Sequence, residues 1–309
     1  MKKFIFVLMF VFILAGVSFA EDDFDFQAVL LKAEQGDAEA QNRVGVAYHN
    51  GEGVEQNYSE AIKWYLKAAE QNYPYAFDNL GSMYANGFGV EVNNEEAFKY
   101  YSKGAEFGLA RSLNELGYFY ENGIAVEKDD AKALELYIKA AESGNSNCQY
   151  NVGRMYANQE NYSEAIEWLE KAAAQDNVYS LRFLGYIYQT GLGVNKDYKK
   201  AFELYTKAAE GGDAIAQNNL GAMYADGMYV KKDQKKAIEL YKKSAEQGYA
   251  MAFRNLGVTY ENGTKAKSAK TREFNRKKAI EWYQKAAEQN EMQDVKEEAE
   301  EALKRLNAK

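Results

Sequence analysis

Gly87 and Gly89, in the stretch LGSMYANGFGV at residues 80–90, are spaced like the opening of a loop that cradles a phosphate on its backbone amides. Such a loop is a single feature, preceded by an apolar strand and followed by a Lys-Ser/Thr pair at a helix N-terminus. Here neither neighbour is present, and the stretch is not single. It returns as VGVAYHNGEGV at 44–54, LGYFYENGIAV at 116–126, LGYIYQTGLGV at 184–194 and LGAMYADGMYV at 220–230. The glycines therefore belong to a repeated unit. His49 and Cys148 are the only histidine and the only cysteine. They stand three units apart, too far for a Cys-His nucleophile, and a zinc site needs about four clustered ligands. Acids such as Glu60, Glu70 and Glu142 read as solvated helix faces and caps. The sequence predicts no catalytic residue, no metal site and no cofactor.

The elements that must carry any function are set by the period. Aligning on the glycine after a Leu or Val gives Gly45, Gly81, Gly117, Gly153, Gly185, Gly221 and Gly257, with five intervals of 36 residues and one of 32. A tyrosine follows each by three residues, from Tyr48 to Tyr260, and a small residue precedes each by five: Ala40, Ala76, Ser112, Cys148, Ser180, Ala216 and Ala252. Cys148 thereby reads as a small core residue. A second block, such as EAIKWYLKAAE at 60–70, opens with an alanine at Ala61, Ala97, Ala133, Ala165, Ala201, Ala237 and Ala279. Both blocks place their apolar residues on one helical stripe. Each unit is then two antiparallel helices that cannot bury their stripes alone, so the units must stack. A further glycine six residues after the anchor, from Gly51 to Gly263, marks a left-handed end to the first helix, with a valine two or three residues on folding back to the core. The fourth unit is four residues shorter there and keeps the rest of the pattern, so this segment is a connection.

The ends carry signals of their own. Lys2 and Lys3, the apolar run FIFVLMFVFILAGV at 4–17 and SFA before EDD form a secretory signal at residues 1–20, cleaved near Ala20, with no apolar run long enough for a membrane span. The protein is thus expected to be exported, periplasmic or secreted. Removing 1–20 leaves 36 basic and 46 acidic residues, a charge of −10 that repels nucleic acid. Residues 21–37 read as an N-terminal capping helix, 38–290 as seven repeats and 291–309 as a C-terminal capping helix, with Val295, Ala299, Ala302 and Leu306 on one stripe.

The unit A-x-x-x-LG-x-x-Y-x-x-G-x-GV … A-x-x-W/Y-Y-x-K-A-A resembles the Sel1-like repeat, a relative of the tetratricopeptide repeat, and does so from roughly residue 24 to 290. The resemblance implies an all-α, right-handed superhelical solenoid of stacked antiparallel helix pairs, whose inner surface holds a partner protein or peptide. A cysteine-rich secreted branch of that family carries a disulfide in each repeat and binds β-lactams; this chain lacks those cysteines. The reading is of a scaffold or adaptor. The alternatives are an envelope-associated enzyme of the β-lactam or peptidoglycan-processing type, and a secreted interaction protein acting on another cell.

Within this frame the half of each first helix opposite the core should line the groove. In the central units it presents Arg111, Asn114 and Tyr118, then Tyr150 and Arg154, then Tyr179, Arg182 and Tyr186. Arginine and tyrosine anchor interfaces, so these residues are the candidate partner site, with Arg154 and Arg182 as a clamp on an anionic or aromatic-rich peptide. The competing reading pairs the arginines with nearby acids such as Glu115 or Glu121. A second surface is TKAKSAKTREFNRKK at 264–278, with seven basic residues and one acid. It reads as a solvated loop inserted in the seventh unit, or as a contact for anionic envelope polymers or lipid head groups.

Overall fold

Asp37 accepts a hydrogen bond from the Ala40 amide at 2.7 Å, and Asn57 accepts one from the Glu60 amide at 3.1 Å. Asp and Asn at these positions satisfy amides that a helix start leaves open, and so fix where each helix of a pair begins. The computed structural model describes residues 24–289 and 292–308. The signal-peptide reading of 1–20 lies outside the described residues, as do 21–23, 290, 291 and 309.

Among the described residues every regular element is helical, and the protein is an all-α repeat solenoid. The first helices of the pairs are α2 (Ala38–Asn50), α4 (Pro74–Asn86), α6 (Ala110–Asn122), α8 (Ser146–Asn158), α10 (Val178–Thr190), α12 (Ala214–Asp226) and α14 (Ala250–Asn262). The second helices are α3 (Tyr58–Glu70), α5 (Asn94–Glu106), α7 (Asp130–Ala141), α9 (Tyr162–Ala173), α11 (Tyr198–Glu210), α13 (Gln234–Glu246) and α15 (Ala269–Ala287). A helix stands at each end, α1 (Phe26–Glu34) and α16 (Gln293–Asn307). The chain forms two compact units that divide inside α5, between Tyr100 and Tyr101.

In the first unit, Phe26 and Ala33 of α1 share a core with Ala40, Val44, Ala47 and Trp64. In the second unit, Val295, Ala299, Ala302 and Leu306 of α16 are buried against Ala250, Ala279, Tyr283 and Ala286, as their spacing predicts. Burying this stripe closes the last pair, which would otherwise leave an apolar face in water. The small residue five before each anchor glycine is buried in all seven repeats, and so is the alanine that opens each second helix. Cys148 is 5% exposed, and burial pushes its thiol pKa up, which suits a packing role.

The anchor glycine has a steric reason to be glycine. A Cβ on Gly185 would lie 2.7 Å from the ring of Tyr205, and one on Gly117 2.8 Å from the ring of Tyr137. Gly221 and Gly257 face Tyr241 and Tyr283 in the same way, while Gly153 faces Leu169. A buried side chain of the second helix thus lies flat on bare backbone of the first, which brings the two helices together.

The connection closes through the backbone. The amides of Asn57, Asp129 and Asp197 donate to the carbonyls of Tyr48, Tyr120 and Tyr188 at 2.8–2.9 Å, and Asn161 makes the same bond to Tyr156 in the shortened fourth repeat. Gly51, Gly87, Gly123, Gly191 and Gly227 end their helices with φ between 66° and 79°, where glycine is favoured. Ala125 and Tyr229 replace the second loop glycine yet hold the same left-handed backbone, at φ 56° and 64°.

Two expectations need correction in the seventh repeat. Gly263 does not adopt the left-handed form; its φ is −69°, and the chain runs on into a 3-10 turn at Gly263–Lys265. Nor is 264–278 a loop. From Ala269 it is the first part of α15, which has 19 residues where the other second helices have 12 or 13. Asn275 donates to the Gly263 carbonyl at 2.7 Å, Arg272 to those of Ala266 and Lys267, and Arg276 to that of Leu306, so tertiary bonds hold the extension in place.

Candidate functional site

The residues expected to line a groove lie on α6, α8 and α10, all in the second unit. Helical spacing puts offsets −6, −3 and +1 from the anchor glycine on one stripe, away from the tyrosine ring that packs on that glycine. Tyr118, Tyr179 and Tyr186 are 48%, 49% and 46% exposed. Arg111 is also exposed, while Asn114, Tyr150, Arg154 and Arg182 are half-buried.

Side chains join the three helices across this face. Asn151 of α8 donates to the Asn114 carbonyl oxygen at 2.8 Å. The rings of Tyr150 on α8 and Tyr179 on α10 are 5.7 Å apart, and the Arg182 guanidinium carbon lies 5.7 Å from the Tyr179 ring centre. Tyr150, Tyr179 and Arg182 therefore form one cluster. Tyr118 belongs to a neighbouring cavity of about 440 Å³ between α6 and α8, lined also by Asn114, Glu121, Tyr137, Asn151 and Arg154.

The two arginines are engaged to different degrees. Arg154 donates Nη1 and Nη2 to the two Glu121 oxygens at 2.6 Å each, and the Tyr137 hydroxyl donates to Glu121 Oε2 at 3.0 Å. This is the acid pairing that the sequence offered as the competing reading. The Arg154 guanidinium, with the Tyr137 hydroxyl, holds Glu121 below the usual glutamate value of 4.5 against an opposing desolvation. Arg182 makes a looser single contact, Nη1 to Asp213 Oδ2 at 3.5 Å, and Asp213 already caps α12 through the Ala216 amide. A partner carboxylate can recruit Arg182 at less cost than Arg154, which would have to surrender two charge-assisted bonds.

The Arg154–Glu121–Tyr137 arrangement recurs at the end of the array. Arg305 of α16 donates to Glu261 at 3.0 and 2.9 Å, and the Tyr283 hydroxyl donates to Glu261 Oε2 at 2.8 Å. In each case the second-helix tyrosine that packs on the anchor glycine also reaches through to an acid four residues past it. The terminal helix supplies the arginine that a further repeat would otherwise provide.

Sequence reasoning missed Tyr137 and Asn151 as parts of this face, and it placed Glu121 only as a possible counter-charge. A visible signal was the acid four after one anchor glycine with an arginine one after the next. His49 stands four residues past Gly45, where helix geometry turns a side chain away from the core, yet it is half-buried between Tyr58 and Phe88, with ring centres 5.4 and 5.5 Å away and Nδ1 3.2 Å from Met83 Sδ. Among the described residues no group of three or more His, Cys, Asp or Glu side chains could hold a metal ion.

The Sel1 repeat family model matches residues 38–73, 78–108, 110–145, 146–177, 178–213, 214–249 and 250–291. Among solved structures, the chain is similar to c5321, a protective antigen of uropathogenic Escherichia coli strains displaying an SLR fold. The two are 35% identical with a TM-score of 0.79, over 92% of this chain and 60% of that one. It is also similar to a Sel1 repeat protein of Oxalobacter formigenes, at 28% identity and a TM-score of 0.68, over 91% of this chain and 79% of that one. Yeast Tom70, 11% identical with a TM-score of 0.52 over 92% of this chain and 58% of its own, shares the fold alone. The chain spans about three-fifths of the antigen's length. No curated protein matches it. With seven repeats matched over most of its length, the chain belongs to the Sel1 repeat family.

Proposed function

We propose that this protein is an exported Sel1-repeat adaptor that holds a protein or peptide segment on the first-helix face of its third to fifth repeats. Sel1 repeats usually mediate protein–protein binding, and the family is generally non-catalytic. The observation that carries the reading is the set of exposed tyrosines on one face, Tyr118 on α6 and Tyr179 and Tyr186 on α10, with half-buried Tyr150 of α8 between them. Large amphipathic rings left in water at low side-chain entropy are the usual anchors of an interface.

Tyr150, Asn114 and Arg111 complete the face, and Arg182, held more loosely than Arg154, is the clamp arginine better able to meet an acidic group on the partner. Arg154 acts there through Glu121, holding α6 and α8 in register. Export rests on the signal-like residues 1–20 and places the adaptor in the periplasm or outside the cell. Among the described residues no helix is long and apolar enough to cross a membrane.

The test is affinity purification from cells under mild crosslinking, comparing wild type with Tyr118→Ala/Tyr179→Ala/Tyr186→Ala. The three rings lie outside the core, so helical content should be unchanged. Loss of three anchors should weaken a specific partner on the order of a hundredfold and remove it from the eluate. Equal recovery by the folded triple variant would place the partner elsewhere.

A further inference from the structure

The extension of α15 is basic on a protein that is otherwise strongly acidic, and its cations divide into two kinds. Arg276 is spent on the Leu306 carbonyl, Arg272 on the Ala266 and Lys267 carbonyls, Lys277 on Glu273 at 2.9 Å and Lys278 on Glu281 at 2.7 Å. Lys265, Lys267 and Lys270 are exposed in the 3-10 turn, the link and the first turn of the helix.

Between Lys270 and Lys277, on the same helical stripe, stands Phe274. It is 54% exposed and meets the Tyr260 ring edgewise, with ring centres 6.5 Å apart. The Arg276 bond to Leu306 also brings the last turn of α16, with exposed Lys304, against the same end. The 3-10 turn, the link and the first turns of α15 thus form an edge carrying exposed lysines and one apolar ring.

We propose that this edge docks on an anionic lipid bilayer surface, with the lysines on the head groups and Phe274 in the interface. Charge complementarity supports the first part, since each lysine near an anionic leaflet adds attraction that falls off within a Debye length. Phe274 separates a bilayer from a soluble polyanion. A ring at the centre of the cationic stripe gains from partial entry into the acyl boundary, as it would not on a solvated polymer. The site lies at the end of the array, apart from the tyrosine row, and does not depend on the adaptor reading.

The experiment is vesicle co-sedimentation with the chain lacking residues 1–20, which carries every described helix. Wild type should bind phosphatidylcholine–phosphatidylglycerol vesicles, ignore pure phosphatidylcholine and be released by salt. Lys265→Gln/Lys267→Gln/Lys270→Gln should bind about a hundredfold more weakly, at about fivefold per lysine. Phe274→Ser should bind several-fold more weakly, and both variants should keep the wild-type circular dichroism spectrum. Absence of binding to the anionic vesicles, or equal binding by the triple variant, would overturn the proposal. So would binding unaffected by Phe274→Ser, or binding to a single-stranded DNA oligonucleotide in preference to vesicles, either of which would point to a polyanion site.

Discussion

Tyr205→Ala should lower stability to urea by about 3–5 kcal/mol and Gly185→Ala by about 1–2 kcal/mol, with the double variant losing less than the sum. Tyr205 is fully buried, and its removal leaves a ring-sized cavity between α10 and α11. At Gly185 the opposite fault arises. The added methyl meets the Tyr205 ring at 2.7 Å, and a ring with no exposed edge has nowhere to move. Overpacking of this kind costs about 1–3 kcal/mol, offset by about 1 kcal/mol from alanine's better helix propensity. Once Tyr205 is alanine the clash is gone, so Gly185→Ala should become neutral or stabilising in that background. Strict additivity in the double-mutant cycle would mean the two residues do not meet.

Arg154→Ala should cost about 2 kcal/mol at neutral pH, because it strands a half-buried carboxylate. The side chains of Arg154 and Glu121 are 25% and 15% exposed, so solvent replaces the lost partner only in part. The sign of the pH dependence follows from Glu121, whose folded pKa is depressed below 4.5 with Arg154 as the largest cause. A depressed carboxylate contributes stability above its unfolded pKa and loses it as pH falls through the folded value. The gap between wild type and Arg154→Ala should therefore narrow as pH drops below about 4.5. Adding Glu121→Gln should restore part of the loss at pH 7. A penalty independent of pH, or no penalty together with loss of the partner, would identify Arg154 as a contact for the partner rather than as a lock.

Much of the fold is legible in the sequence, because seven copies repeat the same periodic stripe. Ala201, Tyr205 and Ala208 are buried where their spacing puts them, and so are Val295, Ala299, Ala302 and Leu306 on their stripe. The helical extension at 269–278 is not legible. It has no apolar period of its own, and bonds to Gly263 and Leu306 from Asn275 and Arg276 decide its conformation. At the site, the offset rule finds the exposed tyrosines, since exposure follows from helix geometry. It does not find that Arg154 is matched to Glu121, 33 residues away in the chain, nor that Tyr137 reaches through from the second helix to join them. Such pairings depend on how neighbouring repeats stack, which a pattern within one repeat does not encode. The same limit applies to His49, whose offset faces outward but whose ring lies between Tyr58 and Phe88.

Whether the first-helix face carries the partner can be read by placing a photo-crosslinking amino acid at Tyr186, on the tyrosine row, and in a second protein at Glu203, exposed on α11. Irradiation in cells should yield an adduct of defined mass from position 186 and none from 203. Adducts from 203 alone, or none from either position, would contradict an adaptor that works through this face.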